Sequence, residues 1–192
     1  MVALYDGRLR TDWTAELLPS QEYNRRHLLA LFALTGIPAS YLDVGCGDGT
    51  MVRMARQMGV SAFGVDQLVE GDGDGFYHRN LVDRFILDNP VHLVTSFEVA
   101  EHLHESAHAR LCDTLCENLK AGTGNFLVFT AAHPGQGGNG HLSERPAQYW
   151  HNEFFLRHLN YRKDVTTELA LLWSHINSPL GYMAGNAMVF EK

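Results

Sequence analysis

The chain is poor in cysteine and in basic charge and has no long apolar run, and each shortage removes a class of protein. Three cysteines in 192 residues, Cys46, Cys112 and Cys116, form no framework spacing. A disulfide-stapled scaffold is therefore not expected, and a reducing compartment is. Cys112 and Cys116 read as two small core residues of one helix, because no second pair exists to complete a metal site. With 15 Lys and Arg against 22 Asp and Glu, the formal charge is −7. The broad basic footprint of a nucleic-acid partner is missing. No apolar stretch approaches the roughly 18 residues of a membrane-spanning helix. The opening MVALYDGRLR holds no apolar signal core, so a cytoplasmic protein with no membrane partner is expected.

The hydrophobic content of 45% and charged content of 19% are ordinary for a soluble globular chain. One domain over residues 1–192 is expected: an N-terminal helical segment (1–38) and a core (39–192). Ser20 is a candidate cap for a helix from Gln21 to Leu34, ended by Gly36 and Pro38. SYLDV (Ser40–Val44), SAFGVD (Ser61–Asp66), FYHRNL, VHLVTS (Val91–Ser96) and NFLVFT (Asn125–Thr130) read as strands, and AMVFEK closes the chain as another. Helices are expected over Met51–Met58, Val99–Leu119, Pro146–Leu159 and Val165–His175. GDGDG (Gly71–Gly75) lacks the remaining ligand positions of a calcium loop and reads as a turn. The alternation predicts an α/β fold: a Rossmann-like open sheet, mostly parallel. Ligands of such sheets bind beyond the carboxyl ends of the strands.

Two features stand at those ends. DVGCGDGT places Asp43, Gly45, Gly47 and Gly49 at a strand-to-helix turn. Glycine permits positive φ and close approach of a ligand, and the helix amino terminus behind favours negative charge. The spacing G-x-G-x-G departs from the dinucleotide fingerprint, which disfavours a dehydrogenase. The second strand ends in Asp66, where a carboxylate can accept both hydroxyls of a ribose.

This combination resembles the class I S-adenosylmethionine-dependent methyltransferases, from about Tyr41 to the C-terminus. LDVGCGDG matches their first motif, LVTSFEVAEHL their fourth-strand motif, NFLVFT the fifth strand, and GNAMVFEK the closing antiparallel strand. The resemblance implies S-adenosyl-L-methionine as cofactor. Asp43, Gly45, Cys46, Gly47, Gly49 and Glu98 would then hold its methionine side, Asp66 its ribose, and Asn80, or else Asp83, its adenine.

TSFEVAEHLHESAH leaves the fourth strand and turns into a Glu/His run. At helical spacing Glu98, Glu101, His102 and Glu105 share one face, opposite Val99, Leu103, Ala107 and Leu111. Glu105 and His108 read as a solvated helix face. Glu98, Glu101 and His102 lie at the site end of the sheet, as either a metal-free polar site or ligands of a divalent cation. Such oxygen and nitrogen donors suit Mg²⁺, Mn²⁺, Fe²⁺ or Zn²⁺. E-x-x-E-H here resembles the metal-binding segment of the small-RNA 3′-terminal 2′-O-methyltransferases and of the ubiquinone-pathway O-methyltransferases. A fourth ligand would come from His133 or His141. The same histidines and His102, with Glu101, are the candidate catalytic residues, since a hydroxyl acceptor needs its proton removed.

HPGQGGNGHLSERPAQYW resembles a loop of bacterial and phage methyltransferase-domain proteins. With its glycines, residues 131–146 are expected to form a lid or substrate wall. Tyr5, Trp13, Tyr23 and Arg26 are candidates to close over the cofactor. The function expected is O-methylation of a small molecule or saccharide. The alternatives are methylation of RNA 3′ ends at the 2′-oxygen, which the acidic charge disfavours, and a cofactor-binding module without activity.

Overall fold

A computed structural model describes residues 21–176 and 181–192. Ser20, Tyr5 and Trp13 lie outside the described residues. The order is α1 (Gln21–Thr35), β1 (Ser40–Val44), α2 (Thr50–Gln57), β2 (Ser61–Asp66), β3 (Phe76–His78), β4 (Leu93–Phe97), α3 (His108–Asn118), β5 (Phe126–Thr130), α4 (Ala147–Phe155), β6 (Asn160–Tyr161), α5 (Lys163–Ser174), α6 (Tyr182–Asn186) and β7 (Met188–Glu191).

The strands form one sheet in the order β3-β2-β1-β4-β5-β7-β6. β1 pairs in parallel with β2 and β4, β2 with β3, and β4 with β5. β7 is antiparallel to both its neighbours. The fold is thus the Rossmann-like, mostly parallel sheet that the alternation predicted. Short β6 and α6 escape the sequence pattern because neither is long enough to show a period.

Central strands are buried on both faces, so they read as apolar runs rather than alternations. Leu42, Val44, Val94, Leu127 and Phe129 pack under α3 and α4 with Leu111, Leu115, Trp150 and Phe154. On the other face, Tyr41, Leu93 and Val128 meet α1, α2 and α5 through Leu28, Leu31, Val52, Leu169 and Trp173. Cys112 and Cys116 are free thiols buried in the first of these cores, as read from the sequence. Among the described residues, no helix is long and apolar enough to cross a membrane.

The expected helix from Val99 to Leu119 is corrected. Ala100–His102 and Glu105–Ala107 are two separate 3-10 turns, and α-helix begins only at His108. Leu103 and His104 are extended between them, with ψ 147° and 143°. A single helical wheel therefore does not apply across the run. Glu101, expected at the site end of the sheet, is fully buried. His108, expected with Glu105 on a solvated face, is buried too: its ring bonds the Ala100 carbonyl through Nε2 (3.1 Å) and the Tyr149 hydroxyl through Nδ1 (3.3 Å). Glu105 does stay exposed, paired with Arg145.

Candidate active site

Sheet order reverses direction between β1 and β4, and beyond their carboxyl ends lies a cavity of about 430 Å³. One wall is the turn between β1 and α2. Gly45, Gly47 and Gly49 all take left-handed φ, at 85°, 56° and 82°. A Cβ on Gly45 would collide with Val99, so only glycine lets this turn lie against the segment leaving β4. Ahead of the Gly49 cap of α2, the Asp48 side chain accepts the Thr50 amide at 2.9 Å.

Asp43 faces the same cavity from β1. Its Oδ1 accepts the Thr95 hydroxyl at 2.7 Å, and Tyr41 lies 2.8 Å from that hydroxyl. The strand register puts Asp43 beside Thr95. Burial pushes the Asp43 carboxyl up to about 7, against the Thr95 bond that favours its charge. Asp66 is buried and its carboxylate is turned inward: Oδ2 accepts the Gly47 amide at 2.9 Å and Oδ1 the Leu68 amide at 2.8 Å. Asp66 thus shapes the glycine turn and is not itself on the cavity lining. Burial raises it to about 6, opposed by those amides.

The opposite wall is the segment after β4. Glu98 carries a φ of 53°, uncommon for a residue with a Cβ, and its carboxylate accepts Asn186 Nδ2 from α6 at 3.1 and 3.2 Å. Glu101 is 0% exposed, and neither of its carboxylate oxygens has a hydrogen-bond partner among the described residues. The amides of Glu101 and Ala132 favour its charge but lie outside hydrogen-bond geometry. Burial, then the Glu98 charge, raise its carboxyl far above the usual range, to about 9.

The third wall is the loop between β5 and α4. Leu142 and Ser143 donate their amides to the Glu101 carbonyl, at 2.7 and 3.0 Å. His102 Nδ1 donates to the Gly140 carbonyl at 3.2 Å. These bonds bring His141 beside His102, with ring centroids 5.0 Å apart. One donor atom each from Glu101, His102 and His141 lies within 4.8 Å of the others.

The structure thus brings Asp43, Gly45, Cys46, Gly47, Glu98, Glu101, His102 and His141 to one cavity, with Gly49 capping α2 just behind. Besides Asp66, two more expected site residues lie off the cavity lining. His133 turns its Nε2 to the Gly185 carbonyl at 3.3 Å, off the cavity lining. Asn80 is exposed and accepts the Val82 amide at 3.2 Å. Glu98 is not among the three residues of the donor cluster, and its carboxylate accepts Asn186 Nδ2. Of α1, Asn24 rather than Tyr23 or Arg26 lines the cavity. Sequence reasoning also passed over Phe97, Asn139, Tyr182, Met183 and Asn186. Phe97, Asn139 and Asn186 stood in segments already marked, but none of the five was singled out by a spacing; Tyr182 and Met183 stood in no marked segment.

A mostly parallel sheet in this order, with an antiparallel β7 and a glycine turn after β1 facing an acidic turn after β4, is the architecture of the class I S-adenosylmethionine-dependent methyltransferases. A family model described as "Methyltransferase domain" matches residues 14–177, and the chain belongs to that family. It is similar to 1,6-didemethyltoxoflavin-N1-methyltransferase of Burkholderia thailandensis, with a TM-score of 0.62 at 16% identity over 95% of this chain and 86% of that one. The O-methyltransferase from the trans-AT PKS multienzyme of Brevibacillus brevis, bound to S-adenosyl-L-homocysteine, gives 0.61 at 15% identity over 95% and 78%. A SAM-dependent methyltransferase from Archaeoglobus fulgidus gives 0.60 at 13% identity over 90% and 95%. At such identities the likeness carries the fold. No curated protein matches the chain significantly.

Proposed function

We propose that the protein methylates an oxygen of a small molecule or saccharide, with Glu101, His102 and His141 holding a divalent cation beside the acceptor. The observation that carries the reading is the Glu101 carboxylate: buried, without a hydrogen-bond partner among the described residues, and near two imidazoles. A carboxylate in that setting either stays protonated or meets a cation, because burying its bare charge costs several kcal/mol, on the order of what one buried ion incurs. Two histidines whose Nδ1 atoms already donate elsewhere present Nε2 as the basic nitrogen, which suits Mn²⁺, Fe²⁺ or Zn²⁺ better than Mg²⁺. The solved relatives include both an O- and an N-methyltransferase, so the choice of oxygen rests on the donor set.

Bound S-adenosylmethionine supplies a methyl group activated for in-line displacement. A divalent cation at this site would acidify an acceptor hydroxyl. The chain's own work is alignment, which can contribute roughly 7–11 kcal/mol to lowering the barrier. The glycine turn, shaped by Asp66, holds the cofactor at the carboxyl end of β1. Asn186 holds Glu98 at the junction of the two walls. The loop from Gln136 to His141 walls the acceptor side, and with no cation bound a histidine Nε2 there would take the acceptor proton.

Calorimetry with Mn²⁺ or Zn²⁺, run with S-adenosylhomocysteine present, tests the reading. One cation per chain is expected, with affinity lost about 100-fold or more in Glu101→Gln while the S-adenosylhomocysteine affinity holds. No cation binding to the wild-type protein sinks the metal assignment and leaves His102 or His141 as an unassisted base. Methylation of an amine panel but of no alcohol or phenol sinks the oxygen assignment.

A further inference from the structure

The loop between β5 and α4 contains no helix or strand, yet it carries His141 to the site. Its shape converges on one carboxylate that no motif marks. Glu144 Oε2 accepts the Gly135 amide at 2.7 Å, while Oε1 accepts the Gly137 amide at 2.8 Å and His141 Nδ1 at 2.8 Å. Turning both amides to one anion is helped by the left-handed φ of 85° at Gly135, which lies between them, and Gly137 continues the turn with a φ of 68°. Both Glu144 oxygens accept backbone amides, so toward His141 the group stands as a carboxylate acceptor.

An ionised carboxylate only accepts, so Nδ1 of His141 must carry the proton and Nε2 is the basic nitrogen. The ring packs against Gly138, where any Cβ would collide with its Nε2 edge. The same ring stands beside His102 and within reach of Glu101. Past Glu144 the segment is pinned again by the Arg145–Glu105 ion pair.

We propose that Glu144 is a positioning residue of this methyltransferase: its carboxylate splints the Gly135–Gly137 turn over the cavity and fixes His141 with Nε2 turned to Glu101 and His102. The proposal rests on the reading of this wall as the acceptor side, and its test separates the two. A carboxylate behind a functional imidazole sets both tautomer and orientation, and losing one lowers metal affinity or activity by about 10–100-fold in comparable arrangements.

The test uses the full chain with S-adenosylhomocysteine bound, as wild type and as Glu144→Gln. The His141 ring signals are assigned by their absence in His141→Gln. In ¹⁵N spectra the wild-type ring is expected as the Nδ1–H tautomer, and the Gly135 and Gly137 amides exchange slowly. Glutamine can satisfy only part of the three-donor set, so Glu144→Gln is expected to give a tautomer mixture, loop exchange faster by about tenfold, and Mn²⁺ affinity lower by about 10–100-fold. S-adenosylhomocysteine affinity is expected within about twofold, because Glu144 lies behind the acceptor wall rather than on the glycine turn. A wild-type Nε2–H tautomer overturns the proposal even if the variant does not fold. So does a variant with unchanged tautomer and unchanged loop exchange. If the wild type binds no Mn²⁺ while tautomer and exchange respond as stated, the cation reading falls and the positioning role stands.

Discussion

Asp43 stands at the cavity with its carboxyl raised to about 7 by burial, above the 3.8 of an exposed aspartate. Its protonated form is favoured by folding. The sign of the effect follows: the stability it contributes is fully present below about pH 3.8 and is lost as pH rises through about 7. Asp43→Asn removes the ionisable group but keeps an oxygen to accept from Thr95. Thermal unfolding of the ligand-free protein between pH 4 and 8 should therefore fall less steeply in the variant than in the wild type. Parallel curves would show that Asp43 does not titrate in this window. The first motif thus contains a strained group as well as a flexible turn: it trades stability at neutral pH for a polar atom facing the cofactor's side of the cavity.

The functional elements are the three connections that meet above β1 and β4, and their fit depends on single atoms. Gly45 and Val99 illustrate this, because the β1–α2 turn touches the segment after β4 there. Gly45→Ala would place a methyl group in Val99 and also demand a left-handed φ from alanine, at about 1–2 kcal/mol for the backbone alone. The two walls must then part. S-adenosylhomocysteine affinity is expected to drop by about tenfold or more, since about 1.4 kcal/mol suffices for that factor. Unchanged affinity by calorimetry would mean that the walls need not touch to hold the cofactor.

The segment after β4 also shows where periodicity fails. Val99 to Ala107 has the apolar spacing of a helix, but the Glu101 carbonyl is given to Leu142 and Ser143 instead of to a following helical amide. A loop 41 residues later competes for that carbonyl and wins, so the chain forms two short turns. Sequence spacing cannot register a competitor so far along the chain.

Across the whole molecule, the connection from β3 to β4 is tied to α3 by buried polar side chains, of which Asn118 makes the most bonds, beside Thr114, whose hydroxyl accepts the Phe85 amide at 3.0 Å. Asn118, at the end of α3, accepts the Leu87 amide at 2.8 Å and donates to the Phe85 and Thr114 carbonyls at 2.8 and 2.7 Å. Asn118→Ala leaves two long-range backbone groups without partners in a dry region, at a cost of about 3 kcal/mol. For a chain of this size that lowers Tm by roughly 6–12 °C. A fall under about 2 °C in a calorimetric scan would mean that water or a local shift replaces the amide.

What the sequence by itself determined is the sheet and its active end. Apolar strands, glycine stops and the acidic second-strand end are read within a few residues of one another, and their physics is equally local: φ at glycine, burial of both strand faces, the strand-to-helix turn. That Glu98, Glu101 and His102 would face the loop after the fifth strand was legible as well, because both segments follow strand ends that the sheet order makes neighbours, but the choice between His133 and His141 was not. The tertiary structure alone decided the rest. It took Glu98 to Asn186, His133 to Gly185, Asp66 into the glycine turn, and His108 into the core, and it drew Glu144 behind His141. Each of those choices is a contest for a hydrogen-bond partner or for burial, and its outcome depends on which groups arrive from distant parts of the chain.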